Sequence, residues 1–457
     1  MSRPGFAASS DGFSRIKIMP FLFTSLSILL AVVVGGSVLY LLTVLAAAAV
    51  SKARPVNGQS GASLVHALPR FTVLIPAHNE EMVIRSTLHS LARQEYDGAL
   101  FEVVVVADNC SDDTACIAAS AGARVLERWN DELVGKGHAL NWAIDRLRDN
   151  RFQPDAFVIV DADTEVAPDF LTAMAERIAA MTDAHGYWAL QGRYGVLNAN
   201  AGWRAALMQS AFELINHVRP LGLDRLGLTV GLKGNGMAFS KTLLAVATWS
   251  GSLTEDIDFG LELCRNQRIR VMYVPEARVN AVMPSTARDA ASQRSRWENG
   301  RLRLVRERAL PLFVEGIRTR NRLLVDAAVD LMIPPMVELT TLMTIWALLV
   351  GTGYISAALP YASAWMDAVA VTSIGLFVYL VGGLAVAGAP ASAYMSLVFA
   401  PFYAVWKLML YASRRHRHQR GVWIRTSRAP EPTRGPSLKG RESTKASRRT
   451  VAQGKSK

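Results

Sequence analysis

From Pro20 to Val50 the chain carries no charged residue, in the run PFLFTSLSILLAVVVGGSVLYLLTVLAAAAV. That exceeds the roughly 20 apolar residues a helix needs to cross a bilayer. A secretory leader is the competing reading, but the run is about twice the usual apolar length of one and lacks a clean small-residue cleavage site. A membrane-spanning helix is therefore expected over 20–50, behind a short N-terminal segment, 1–19.

Hydrophobic residues make up 51% of the 457 positions, enough for both a soluble core and a membrane region. Two further stretches, about 333–358 and 366–388, are each long enough to span, whereas 391–412 contains Pro401 and Lys407 and fits a spanning or an interfacial helix equally. Residues 65–310 have mixed polarity and ordinary turn residues, as a soluble domain would, and 311–412 form the membrane region. In the tail, 413–457, fourteen Lys and Arg stand against two acidic residues, which accounts for the whole +12 formal charge of the chain. The remainder is charge-balanced, which argues against nucleic acid as a partner. Directly after a membrane segment, such a run marks the cytoplasmic side and touches anionic lipid. Beyond Ala429 the tail is too poor in apolar groups to fold. Cys110, Cys116 and Cys264 have no metal-like spacing and fit a reducing cytosol, with packing roles.

The soluble region alternates short apolar runs with helical patterns. Strands are predicted at 71–77, 102–108, 123–128 and 156–163, and helices at 80–94 and 136–148. Strands flanked by helices imply an α/β, doubly wound, mostly parallel sheet, with ligands outside the carboxyl ends of the strands. Asp108, Asp161 and Asp163 fall at those ends. Two carboxylates one residue apart raise each other's pKa unless a cation intervenes. A divalent metal such as Mg²⁺ or Mn²⁺, sharing its shell with phosphates and water, removes that conflict. The bland alternative is a capped turn at Asp161 with a solvated Asp163.

Six segments, in order, decide between these readings: IPAHNEE (75–81), VVADNCSDDT (105–114), GKGHALNWA (135–143), VDADTEVAPDFL (160–171), TEDIDFGLEL (254–263) and QRSRW (293–297). Together they resemble the membrane-embedded family 2 glycosyltransferases, the group of cellulose, hyaluronan and poly-N-acetylglucosamine synthases. The resemblance implies a GT-A-type fold for 65–310, with the QRSRW helix lying at the membrane surface. It implies that the end of the first strand (Pro76, Ala77, Glu80), Asp108, Lys136, Asp161 and Asp163 hold a UDP-sugar, with Asp163 on the Mg²⁺ or Mn²⁺. Asp256 would be the general base, Arg296 would meet the leaving diphosphate, and Glu255, Gln293 and Trp297 would face the acceptor. Where family members often have two aspartates, this chain has Ala107-Asp108. In the tail, VWIRTSR (422–428) resembles a loop that closes over the nucleotide, through Trp423, Thr426 and Arg428.

If that loop serves the active site, tail and catalytic domain share the cytoplasmic side of the inner (plasma) membrane. Two spans then lie between them in a multi-pass protein, and the N-terminus is outside, against the pull of Arg3, Arg15 and Lys17. The function expected is inverting transfer of a hexose or N-acetylhexosamine to a growing β-linked exopolysaccharide. The alternative is a single addition to a membrane lipid. Few membrane segments help the alternative, or else imply a helper subunit. A catalytically inactive scaffold is disfavoured because every candidate carboxylate is present.

Overall fold

Phe71–Ala77 (β1) is seven residues long and buried throughout, because the sheet it centres is covered on both faces. Val73 and Ile75 pack on one side against Ile84, Leu88 and Phe170. Leu74 packs on the other against Leu140, Ile144 and Leu147. An uninterrupted apolar run is what such a strand requires. The computed structural model describes residues 11–53, 68–148, 151–181, 183, 185–252, 254–283 and 297–412.

The remaining strands are β2 (Phe101–Asp108), β3 (Arg124–Arg128), β4 (Ala156–Ile159), β5 (Thr164–Val166), β6 (Ala189–Val196), β7 (Met237–Ser240) and β8 (Val271–Ala281). They form one sheet in the order β3-β2-β1-β4-β7-β6-β8-β5. The half from β3 to β4 is parallel. Beyond it β7 runs antiparallel to both β4 and β6, β6 pairs parallel with β8, and β5 closes the edge antiparallel. This is the mostly parallel, helix-flanked sheet of the GT-A kind.

Local boundaries differ from the sequence reading in two informative places. The helix expected over 80–94 spans only Ile84–Leu91. The amides of Glu80 and Glu81 are instead taken by Thr114 Oγ1 (2.7 Å) and Asp112 Oδ2 (3.2 Å), so the chain turns before it coils. The strand expected to run to Asp163 stops at Ile159, and residues 160–163 form a turn that leads into β5. Of the cysteines, Cys110 and Cys264 are buried, but Cys116 is exposed and has no packing role.

Among the described residues three helices are long and apolar enough to cross a membrane: Met19–Val50, Met336–Ile355 and Ala362–Ala387. They pack together through Val38, Leu41, Met343, Trp346, Leu376 and Tyr379. Residues 391–412 are divided among Ala391–Ser396, Leu397–Phe399 and Ala400–Ala412. The first long helix also lies directly on the sheet domain. A Cβ at Gly222, in the helix Arg219–Arg225, would sit 2.1 Å from the Val44 carbonyl oxygen, so only glycine permits that approach.

Candidate active site

The site is built on the carboxyl ends of β1, β2 and β4. Pro76 and Ala77 are buried at the end of β1 and pair with Val106 and Ala107 of β2. Just beyond each strand the backbone turns sharply at a left-handed asparagine, Asn79 (φ 56°) and Asn109 (φ 51°). Asparagine tolerates that conformation better than most residues. Their side chains tie the neighbouring ends together: Asn79 Oδ1 accepts from Ser111 N (2.8 Å) and Asn109 Oδ1 from Asn130 N (2.8 Å). Asp108 is fully buried at the end of β2. Its Oδ1 accepts from Arg128 Nη1 at 2.5 Å, and its Oδ2 has no hydrogen-bond partner among the described residues. Burial pushes the Asp108 carboxyl up, against the pull of Arg128. A buried acceptor left unmet costs about 1–3 kcal/mol, which a ligand donor would recover.

Asp161 and Asp163 sit in the turn between β4 and β5, stapled from both sides. Thr87 Oγ1 donates to the Ala162 carbonyl (2.7 Å), and Thr164 N donates back to Thr87 Oγ1 (3.1 Å). Across the turn, Asn235 Oδ1 accepts from Asp161 N (3.1 Å) while its Nδ2 donates to Thr164 Oγ1 (2.8 Å). Lys136 opens the helix Lys136–Leu147 directly after Gly135, whose φ of 126° a side chain would strain. From there its Nζ donates to Asp161 Oδ1 and to the Gly234 carbonyl, each at 2.5 Å.

The acidic helix Glu255–Glu262 completes the cluster. Its first turn carries Glu255, Asp256 and Asp258, where a helix N-terminus favours negative charge. Arg308 pairs with Asp258 and Glu262, which sets Asp258 apart from the other two. Glu255 and Asp256 remain within the field of Lys136. Burial pushes Glu255 up to about 7, helped by the Asp256 charge and opposed by Lys136. Asp256 is also raised by burial, with Lys136 and Lys233 holding it down. For Lys136 burial is the largest influence and lowers its pKa, but Asp161, Glu255 and Asp256 outweigh it and hold the ammonium charged.

Gly231, Gly234 and Gly236 all have positive φ, in a loop the sequence reading passed over. A Cβ on Gly234 would come to 3.2 Å from Asp256 Oδ2, so glycine lets this loop lie against the carboxylate. Gln191 on β6 anchors the loop, accepting from Lys233 N (2.8 Å) and donating to the Asn235 carbonyl (2.8 Å). Lys233 projects an ammonium with no hydrogen-bond or ion-pair partner among the described residues. Burial lowers its pKa to about 8, against the pull of Asp330 and Asp256. The available signal was three glycines in VGLKGNG, a turn pattern just ahead of an apolar strand.

Trp297 is half-buried and packs against the main core, and 297–304 is helical. A Cβ on Gly300 would lie 2.4 Å from Thr254 Cγ2, so this helix rests on the start of the acidic helix. Gln293, Arg296, Trp423, Thr426 and Arg428 lie outside the described residues. Among the described residues no three His, Cys, Asp or Glu side chains are grouped to hold a metal. Asp161 is engaged by Lys136, and Asp163 stands two residues on in the same turn. That sparse set fits a hard cation that takes few protein carboxylates and fills its shell with phosphate oxygens and water.

Residues 69–300 match the family model described as "Glycosyltransferase like family 2", which is half of the chain. The chain belongs to this family. The glycosyltransferase is 28% identical over 258 residues to a β-monoglucosyldiacylglycerol synthase of Trichormus variabilis, covering 54% of this chain and 52% of that protein. It is 26% identical over 246 residues to an N-acetylglucosaminyltransferase of Rhizobium leguminosarum bv. viciae, covering 52% and 56%. The chain thus spans about half the length of the curated relatives it matches. Among solved structures it is similar to a mannosyltransferase from Pyrobaculum calidifontis in complex with GDP-mannose and Mn²⁺. That match has 19% identity and a TM-score of 0.47, covering 79% of this chain and 98% of that one.

Proposed function

We propose that this glycosyltransferase adds a single hexose or N-acetylhexosamine from a UDP-sugar to a membrane lipid, with inversion, at the cytoplasmic face of the inner (plasma) membrane. The observation that carries this reading is the short path from the acidic pair to the apolar helices. Thr254, which precedes Glu255 and Asp256, is packed by the helical stretch 297–304 at Gly300. That segment continues through Leu310–Arg318 and Arg322–Met332 into the long apolar helix Met336–Ile355. Glu298, in the same helical stretch, shares Lys407 with Glu338 in the first turn of that apolar helix (2.6 and 2.7 Å), so an acceptor held in the bilayer needs to rise little to reach the pair. The similarity to a diacylglycerol-glucosylating enzyme supports the same choice.

In this reading the acceptor hydroxyl oxygen attacks the anomeric carbon as the bond from that carbon to the diphosphate oxygen breaks. The hydroxyl proton passes to the Asp256 carboxylate, and the nucleoside diphosphate departs on the opposite face. Lys136, fixed between Asp161 and the Gly234 carbonyl, places positive charge beside the departing phosphates. Asp108 and the end of β1 orient the nucleoside. Asp163 would hold Mg²⁺ or Mn²⁺, which when bound would neutralise charge on the diphosphate.

A second reading, repeated addition to a growing glycan, is favoured by the similarity to the rhizobial N-acetylglucosaminyltransferase. Product sizing separates the two. The purified chain, given radiolabelled UDP-sugars and Mn²⁺ in lipid vesicles, is expected to yield one organic-extractable glycolipid. Long, glycanase-sensitive material overturns the lipid reading.

A further inference from the structure

The helix Leu310–Arg318 carries an outward apolar stripe: Leu310 is 65% exposed, Val314 37% and Ile317 56%. This spacing is one helical face left to solvent or to a membrane surface. The stripe ends at a cavity of about 470 Å³ between this helix, the helix Arg322–Met332 and the first long apolar helix. Ile317, Val325 and Val329 give it apolar walls, Arg320 and Arg322 bring two guanidinium groups to it, and the one carboxyl in its lining, Asp326, has an oxygen engaged by the Tyr40 hydroxyl.

Its depth relative to the apolar helices follows from packing. Gly353, late in Met336–Ile355, meets Phe23, so the two helices run antiparallel with Phe23 at the far end. Tyr40 lies about 26 Å further along its own helix at 1.5 Å per residue, close to the hydrocarbon thickness of a bilayer. There the Tyr40 hydroxyl shares its one proton between Asp330 Oδ1 (3.1 Å) and Asp326 Oδ1 (3.2 Å), on the helix that precedes Met336. The cavity therefore lies at the Met336 end of these apolar helices, about one hydrocarbon thickness from Phe23.

Both arginines are exposed, and neither guanidinium has a hydrogen-bond or ion-pair partner among the described residues. Arg320 is also in the left-handed region (φ 52°), at the corner where the Asn321 amide donates to the Gly316 carbonyl (2.8 Å). Glycine would relax that corner, and the chain places a long cation there instead.

We propose that this cavity binds one anionic phospholipid of the surrounding membrane, phosphate against Arg320 and Arg322 and an acyl chain along Ile317, Val325 and Val329. The lipid proposed here is a bound companion rather than the substrate, which takes the proposal beyond the transfer reaction.

The test uses the full chain in nanodiscs of phosphatidylcholine, with and without phosphatidylglycerol, followed by native mass spectrometry of retained lipid, with no sugar donor present. Wild-type protein is expected to keep one phosphatidylglycerol per chain through delipidation. Arg320→Gln with Arg322→Gln is expected to lose it, with affinity roughly tenfold or more weaker for two lost cation–phosphate contacts. Val329→Trp, which fills the cavity and keeps both cations, is expected to lose it too, in protein whose thermal unfolding is unchanged. Equal retention by the double-glutamine variant assigns the lipid to the basic tail and overturns the proposal. Equal retention of phosphatidylcholine by the wild type, or displacement by inorganic phosphate alone, also overturns it. Because no transfer is measured, failure here is distinct from failure of the proposed reaction.

Discussion

Two clusters of buried charge in this molecule are built on opposite plans. Near the apolar helices, Lys407 is 1% exposed and its ammonium lies 2.6 Å from Glu298 and 2.7 Å from Glu338. Those three residues belong to three different helical segments, so the direct contacts act as a fastener. At the sheet edge, Lys136 touches Asp161 and a backbone carbonyl, while Glu255 and Asp256 feel it only through the field. Lys233, alongside, has no direct partner among the described residues. Charge that is closed on itself holds structure, and charge left incomplete in a cleft waits for a ligand.

The largest expected effect tests the incomplete cluster. Asp256→Asn removes the proposed proton acceptor and keeps the shape of the helix start, so transfer should fall by about 10²–10⁴-fold. Binding of UDP, measured by calorimetry, should stay near the wild-type value. Normal transfer by that variant would remove Asp256 from the role and turn attention to Glu255.

The closed cluster should respond the other way. Lys407→Met leaves Glu298 and Glu338 facing one another without their shared cation, and breaking a buried pair costs about 3–5 kcal/mol. A fall in thermal unfolding temperature is the expected readout, with the pH dependence of the residual activity unchanged. A displaced pH profile without loss of stability would mean the two clusters are not separate.

Much of the parallel half of the sheet was legible because β1, β2 and β4 are built on continuous apolar runs, and Asp108, Asp161 and Asp163 stand at or just beyond the ends of β2 and β4. Local chemistry hid the finer boundaries: the Asp161 amide is taken by the Asn235 side chain rather than by a neighbouring strand. Asn235 and Gln191 were missed because each acts across the fold, on partners 42 to 74 residues away, and Lys233 because its ammonium acts through the field. No periodicity reports such contacts. That Asp258 stands apart from Glu255 and Asp256 was likewise closed to sequence periodicity, since it rests on Arg308, which lies 50 residues downstream of it.

The smallest expected effect is the sharpest probe of the site's electrostatics. Asp256 must be ionised to accept a proton, and burial raises its pKa, so kcat/KM should fall as pH drops through that value. Glu255, raised to about 7 by burial and by the Asp256 charge, is already neutral where Asp256 gains its proton. Glu255→Gln should therefore leave the acidic limb in place. Lys233, with a pKa of about 8, is charged throughout the limb and pulls Asp256 down. Lys233→Met should move the limb to higher pH, and Lys233→Arg should restore it. Moving the limb by one pH unit corresponds to about 1.4 kcal/mol of interaction between the groups. If Lys233→Met lowers kcat/KM evenly at every pH, Lys233 only shapes the cleft, and the sheet-edge cluster is as closed as the one around Lys407.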